Sequence, residues 1–216
     1  MPAADTLSDA DAVAALRTVI ARTPRRPDVW VRASENSGHV GGMLAECALQ
    51  AGLNYETVVV PRVKAFVDKY PAASTVSGLR ALLASSDTAS LLGIRNARKC
   101  GVFRDLAHLL FTENVETPPD LRAWLEHRDS RNKLLALHGV AVKTAAYLRL
   151  LIGLPSVAID VHLRRAAAEV GVRRPDDKLE QLYSEAAKQE GVPLAELDGS
   201  LWQRGADRSR TRRRST

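Results

Sequence analysis

The chain is short of cysteine, of aromatic side chains and of long apolar runs, and each shortage removes a class of protein. Among 216 residues only Cys47 and Cys100 are cysteines. Two thiols cannot build a disulfide framework or a four-thiolate metal site. No stretch reaches the roughly 18 uninterrupted apolar residues that a transmembrane helix needs. The first residues are acidic before they are apolar, without the basic and then hydrophobic order of a secretory signal. Alternating polar–apolar runs longer than about four residues are missing too, so strands have little support. The chain reads as a soluble intracellular protein of the cytoplasm or nucleoid.

What is present points to helix. Aromatics are 5% of the chain, whereas Ala, Leu, Val and Arg are plentiful. Apolar residues recur at helical spacing in about a dozen short segments. Residues 9–22 put Val13, Leu16, Val19 and Ile20 on one face, behind an acidic first turn. Tyr55–Lys69 turns Val58, Val59, Val63, Phe66 and Val67 inward and ends at Tyr70-Pro71. Further helices fit Gly42–Leu49, Val76–Ala84, Thr88–Leu92, Asn96–Phe111, Leu121–Glu126, Arg131–Leu137, Val142–Ile152, Asp160–Val170, Asp176–Glu190 and Leu194–Gln203. The expected fold is all-α, a bundle of about ten short helices. Trp30 and Trp202 are expected to pack lobes together, and Cys47 and Cys100 to sit in the core.

The net charge of +6 favours an anionic partner, but it is unevenly spread. Residues 204–216 hold six Arg against one Asp, which leaves only +1 for everything before them. This segment reads as a disordered basic tail, either solubilising or adding phosphate contacts without sequence preference.

Residues 134–165, LLALHGVAVKTAAYLRLLIGLPSVAIDVHLRR, carry the most information. Two helices flank a tight turn, His138-Gly139-Val140-Ala141, expected to be exposed. Gly139 supplies positive φ and lets foreign backbone approach. The helix that begins at Val142 presents N–H groups without internal partners, an anion site suited to phosphate. Thr144, Ala145 and Ala146 are small enough for close helix packing. By themselves these features fit any αα-hairpin.

The order of the residues narrows the reading. Leu137, Gly139, Val140, Lys143, Thr144 and Ala145, followed by Asp160, His162 and Arg164 or Arg165, resemble the hairpin and catalytic segments of the helix-hairpin-helix (HhH-GPD) DNA glycosylases. These include endonuclease III and 8-oxoguanine glycosylase. Upstream, CALQAGLNYETVVVPRVKAF and NARKCGVFRDLAHLL resemble two further helices of that superfamily, so the likeness spans about residues 40–170. Two departures stand out: His138 replaces the usual Pro, and Ala141 the usual second Gly, whose Cβ is expected to loosen the hairpin.

The resemblance implies a two-lobed fold over 1–203 with the hairpin at the cleft. The N- and C-terminal segments would share one lobe and about 45–155 would form the other. It implies a monomer acting on double-stranded DNA that contains a damaged or modified base. It leaves room for a monovalent cation at the hairpin carbonyls. The family's iron–sulfur cluster needs four cysteines, so this chain would be a cluster-free member. His138, Gly139, Val140, Ala141, Val142 and Thr144 would lie on the phosphate backbone. Gln50 would fill the gap left by the flipped base, with packing at a helix end the equal alternative, and Asn54 and Tyr55 would line the base pocket.

Base excision explains the catalytic pair. A base inside a duplex is flipped out before it can be attacked. Breaking its N-glycosidic bond develops positive charge on the sugar, which a carboxylate at Asp160 would stabilise. An amine at Lys143 would form a Schiff base with the opened sugar and permit β-elimination. Asp160 is equally suited to capping its helix, and His162 to holding the helix start. Two alternatives stay open: a monofunctional glycosylase in which water attacks, and a non-catalytic hairpin module that binds DNA.

Overall fold

The structure is a computed structural model that describes residues 7–26 and 38–214. Trp30 lies outside the described residues. Among them are twelve α-helices, one π-helical turn, one 3₁₀ turn and no strand. No helix among them is long and apolar enough to cross a membrane. The chain divides into two compact units, Met1–Ala33 with Pro155–Thr216, and Ser34–Leu154.

The first unit contains α1 (Asp9–Ala21), α10 (Val161–Glu169), α11 (Asp176–Gln189) and α12 (Leu194–Arg214). Leu16, Val19 and Ile20 of α1 join Leu163, Leu182 and Tyr183 in its core. Tyr183 is fully buried and donates its hydroxyl to the Leu163 carbonyl at 2.8 Å. Burial lifts that phenol well above its ordinary range, so it stays a neutral donor. Ser8 caps α1 by accepting from the Asp11 amide at 3.2 Å. At the surface α1 is tied to α11 by Lys178–Asp9 at 2.5 Å, and Arg17 meets Glu190 just past α11 at 2.6 Å.

The second unit runs from α2 (Val40–Leu49) through α3 (Val60–Lys69), α4 (Val76–Ser85), α5 (Thr88–Leu92), α6 (Ala97–Thr112), α7 (Pro118–Glu126) and α8 (Arg128–Ala136) to α9 (Val142–Leu151). All ten residues of α2 are buried, which makes it the axis of the unit. Gly41 and Gly42 permit this. A Cβ at Gly41 would stand 2.8 Å from the Ala73 carbonyl, and one at Gly42 2.7 Å from Val67 Cγ2.

Three expectations change. The single helix foreseen over Tyr55–Lys69 is split: Tyr55–Val59 is a π-helical turn, and α3 starts at Val60. Pro61 has no N–H to continue the α-pattern, so the turn before it widens, with the Val59 and Val60 amides bonded five residues back to Asn54 and Tyr55. Helix α7 starts three residues earlier than periodicity suggests, because Thr117 and Asp120 form a reciprocal capping box.

The third correction concerns the C-terminal segment. Residues 204–208, foreseen as the start of a disordered tail, continue α12. Arg204 pairs with Glu169 of α10 at 2.9 Å, and Arg208 bonds the same carboxylate. Gly205 comes so close to α10 that a Cβ there would fall 2.3 Å from His162 Nδ1. A helical run of Arg survives here because its first members have an acidic partner and a packed face.

Candidate active site

The hairpin is built as a tight turn between α8 and α9. The Val140 amide donates to the Leu137 carbonyl at 3.1 Å, and Gly139 takes φ +87. The turn is less free than its sequence suggests. A Cβ at Gly139 would lie 2.8 Å from Val102 Cγ2 and 3.2 Å from Arg98 Nε, both on α6. Val140 is buried, while His138 and Ala141 are exposed. Ala141 has φ −114, ordinary extended backbone, so its Cβ adds no strain and does not loosen the hairpin.

No side chain caps α9. Its first helical bond is Ala145 N–H to the Ala141 carbonyl, so the amides of Val142, Lys143 and Thr144 precede the ladder. They make up the first turn of the helix that follows the hairpin. The Thr144 side chain is buried, so only its backbone is available there.

Behind this turn, Lys143 is half-buried on α9. One helical turn on, Tyr147 donates its hydroxyl to Glu46 Oε1 at 2.6 Å. Tyr55, at the start of the π-helical turn, donates to the same oxygen at 2.7 Å. Burial, and then the Glu46 charge, raise the Tyr147 phenol well above its ordinary range. Next to Glu46 the Cys47 thiol is pushed far up by burial and then by Glu46, with Lys143 pulling the other way. It is a neutral core thiol. On α6, Lys99 donates to the carbonyls of Ala48, Leu49 and Ala51 at 3.1, 3.0 and 2.6 Å, satisfying the C-terminus of α2. Burial, then Lys143 and Arg98, lower its pKa.

The remaining candidates of this unit have the following contacts. Asn54 accepts from the Thr57 amide at 2.9 Å and so serves as the cap of the π-helical turn. Tyr55 has its hydroxyl turned to Glu46. Gln50 ends α2 with its side chain buried, and its Nε2 has no hydrogen-bond partner among the described residues.

In the other unit, Asp160 follows an extended segment held by Ala158 N–H to Asp198 Oδ1 at 2.7 Å. It is the N-cap of α10, with Oδ1 accepting from His162 and Leu163 amides at 2.7 and 3.0 Å. Asp160 is 8% exposed, and both capping bonds fall on one oxygen. His162 is packed under Gly205, as a structural residue would be. Arg164 is taken by a bidentate pair with Asp176, at 2.7 and 2.5 Å.

Sequence reasoning missed Glu46, Tyr147 and Lys99. One signal was available: Glu46 is the lone charge in VGGMLAECAL, a segment otherwise fit for a core.

No protein-family model and no curated protein matches the chain. Among solved structures it is similar to the Helicobacter pylori 3-methyladenine DNA glycosylase MagIII bound to 1,N6-ethenoadenine. The two share 14% identity at a TM-score of 0.62, over 95% of this chain and 99% of that one. The likeness is one of fold: the helices of this chain are arranged as in that structure.

Proposed function

We propose that the protein is a base-excision DNA glycosylase, which flips a damaged or modified base from a duplex and breaks its N-glycosidic bond. We propose in addition that it nicks the abasic site by β-elimination through Lys143. The observation that carries the reading is the place of Lys143. It stands on the first turn of α9, directly behind a tight hairpin and at a helix start that no side chain caps, in a chain whose fold is similar to that of a DNA glycosylase.

Each residue then has a task. The amides of 142–144 hold a DNA phosphate through their N–H groups and the helix dipole. The Asp160 carboxylate, fixed by its two capping bonds, opposes the positive charge that grows on the sugar. A neutral Lys143 amine adds to C1′ as the base departs with the bonding electrons, and the ring oxygen takes an amine proton as the sugar opens to a protonated imine. No iron–sulfur cluster enters this reading, since Cys47 and Cys100 are both core residues.

The test is a panel of duplexes, each with one lesion drawn from oxidised pyrimidines, oxidised purines, mismatches and alkylated purines. The last class matters because the structural neighbour is a 3-methyladenine glycosylase. Nicking of one class without added base, with a borohydride-trapped adduct absent in Lys143→Gln, is the expected result. Base release without any nick favours attack by water. Duplex binding without base release on any member of the panel overturns the enzyme reading.

A further inference from the structure

Glu46 is a charge placed in a core. It is 1% exposed on a helix that is buried along its whole length. Isolated carboxylates are strongly disfavoured in such surroundings, and need both hydrogen bonds and a counter-charge. Tyr55 and Tyr147 supply the bonds, both to Oε1. They are neutral donors and carry no counter-charge of their own.

The cations near this end of α2 can be taken in turn. Lys99 has three N–H donors and spends them on the carbonyls of Ala48, Leu49 and Ala51. Arg98 lies against the hairpin turn at Gly139. Lys143 is four residues before Tyr147, so the two share a face of α9, and it is from this face that Tyr147 reaches Glu46. The charge of Lys143 is felt at Cys47, the neighbour of Glu46, and at Lys99.

We propose that the Glu46 carboxylate, clamped by Tyr55 and Tyr147, is the counter-charge that holds the Lys143 ammonium and restrains it as a nucleophile. This deepens the proposed function, resting on its assignment of Lys143 as the reacting amine. Glu46 is a positioning residue in this scheme, acting through Lys143. The titratable groups around this cluster divide by sign. Glu46 favours the protonated form, Lys99 and Arg98 on α6 oppose it, and the Cys47 thiol and the phenols of Tyr55 and Tyr147 are neutral. Only the unprotonated amine has a lone pair for C1′. Near neutral pH Glu46 therefore makes the small unprotonated fraction of the lysine smaller still.

Two measurements on the intact chain test this. The first needs no DNA: brief acetylation of Lys143 by an N-hydroxysuccinimide ester between pH 7 and 11, read by peptide mass spectrometry, gives the midpoint of the amine. In the wild type it should lie at or above the ordinary lysine value of about 10.4. In Glu46→Gln it should fall by about one pH unit, roughly a tenfold gain in neutral amine at pH 7. Tyr147→Phe removes a contact and no charge, so its midpoint should not fall. A wild-type midpoint below about 9, or an unchanged midpoint in Glu46→Gln, overturns the proposal.

The second measurement is borohydride trapping on a duplex with a preformed abasic site. There the amine adds to the C1′ aldehyde, water leaves, and with a proton from solvent the product is a protonated imine, which hydride reduces to a stable amine. The trapping profile of Glu46→Gln should move to lower pH by the same amount. Should the midpoints behave as stated while neither protein forms an adduct, the counter-charge stands and the Schiff-base reading falls. Should adducts form with identical pH profiles in both, the Schiff base stands and the restraint by Glu46 falls.

Discussion

Gly139 and Val102 meet so closely that the hairpin turn is part of the packing of its unit: a Cβ on the glycine would sit 2.8 Å from Val102 Cγ2. The φ of +87 at the same residue adds a second reason for glycine. Gly139→Ala is therefore expected to cost the fold about 1–2 kcal/mol, about 1 from the left-handed backbone and the rest from displacing Val102. Urea unfolding measures it. A change within about 0.3 kcal/mol would mean that the turn relaxes freely. Gly139→Asp adds a carboxylate beside the N-terminus of α9, so affinity for undamaged and abasic duplexes should fall alike. Ala141→Gly, at a residue with ordinary φ, is the control: it should leave duplex affinity unchanged and destabilise by about 0.4–1 kcal/mol through the unfolded chain.

Much of the fold was legible because helices announce themselves through period and punctuation. Thr88–Leu92 matches its expected bounds, since Asp87 caps it and Gly93 closes it in a left-handed turn. The misses have local causes. Pro61 acts backwards on the turn before it, and the pairing of Arg204 and Arg208 with Glu169 depends on a partner 35 and 39 residues away. The site divides the same way. The hairpin and the Asp160 cap are consecutive stretches of chain, so sequence reveals them. The Glu46 cluster joins α2, the π-helical turn and α9, with Tyr147 lying 101 residues from Glu46. No spacing rule spans that.

His39 makes the second unit sensitive to acid. Its Nδ1 accepts from the Gly42 amide at 3.0 Å as the cap of α2, and its Nε2 meets the Tyr70 carbonyl at 3.1 Å. Accepting at Nδ1 requires the neutral ring. Burial lowers the pKa below the usual imidazole value. Between the lowered folded value and the ordinary value of about 6.5, the unfolded chain binds more protons, so stability falls as pH drops through that window. His39→Asn keeps a capping oxygen and removes the titration. Its stability should change less between pH 7 and pH 5 than the wild type's, by urea unfolding at each pH. Parallel curves for the two proteins would exclude His39 as the source.

The structure tells where to cut the C-terminal segment. Truncation after Arg208 removes four Arg, while Arg204 and Arg208 keep their carboxylate. Non-specific duplex binding should weaken and its salt dependence become shallower, with urea stability unchanged. Truncation after Gln203 also removes the Glu169 pairs and the Gly205 backbone packed on His162. Its stability should drop as well. Equal stability of the two truncations would show that residues 204–208 contribute nothing to the fold.

Asp160 has two tasks that substitution can separate. As the cap of α10 it needs an oxygen acceptor for the His162 and Leu163 amides; as a partner to a cationic sugar it needs a charge. Asparagine supplies the first without the second, and alanine supplies neither. Asp160→Asn should unfold within about 0.5 kcal/mol of the wild type, whereas Asp160→Ala should lose about 1 kcal/mol or more with the cap. Base release should fall steeply in both, on the order of a hundredfold or more, since the lost electrostatic contribution belongs to the transition state and not to the bound duplex. Duplex affinity should therefore be held by Asp160→Asn. Single-turnover release on the preferred lesion, beside urea unfolding and binding to the undamaged duplex, gives all three quantities. Release by Asp160→Asn within severalfold of wild type would leave Asp160 as a helix cap alone. A parallel loss of stability and release in the asparagine variant would point to the same conclusion, because a charge used only on the sugar has no reason to hold the fold.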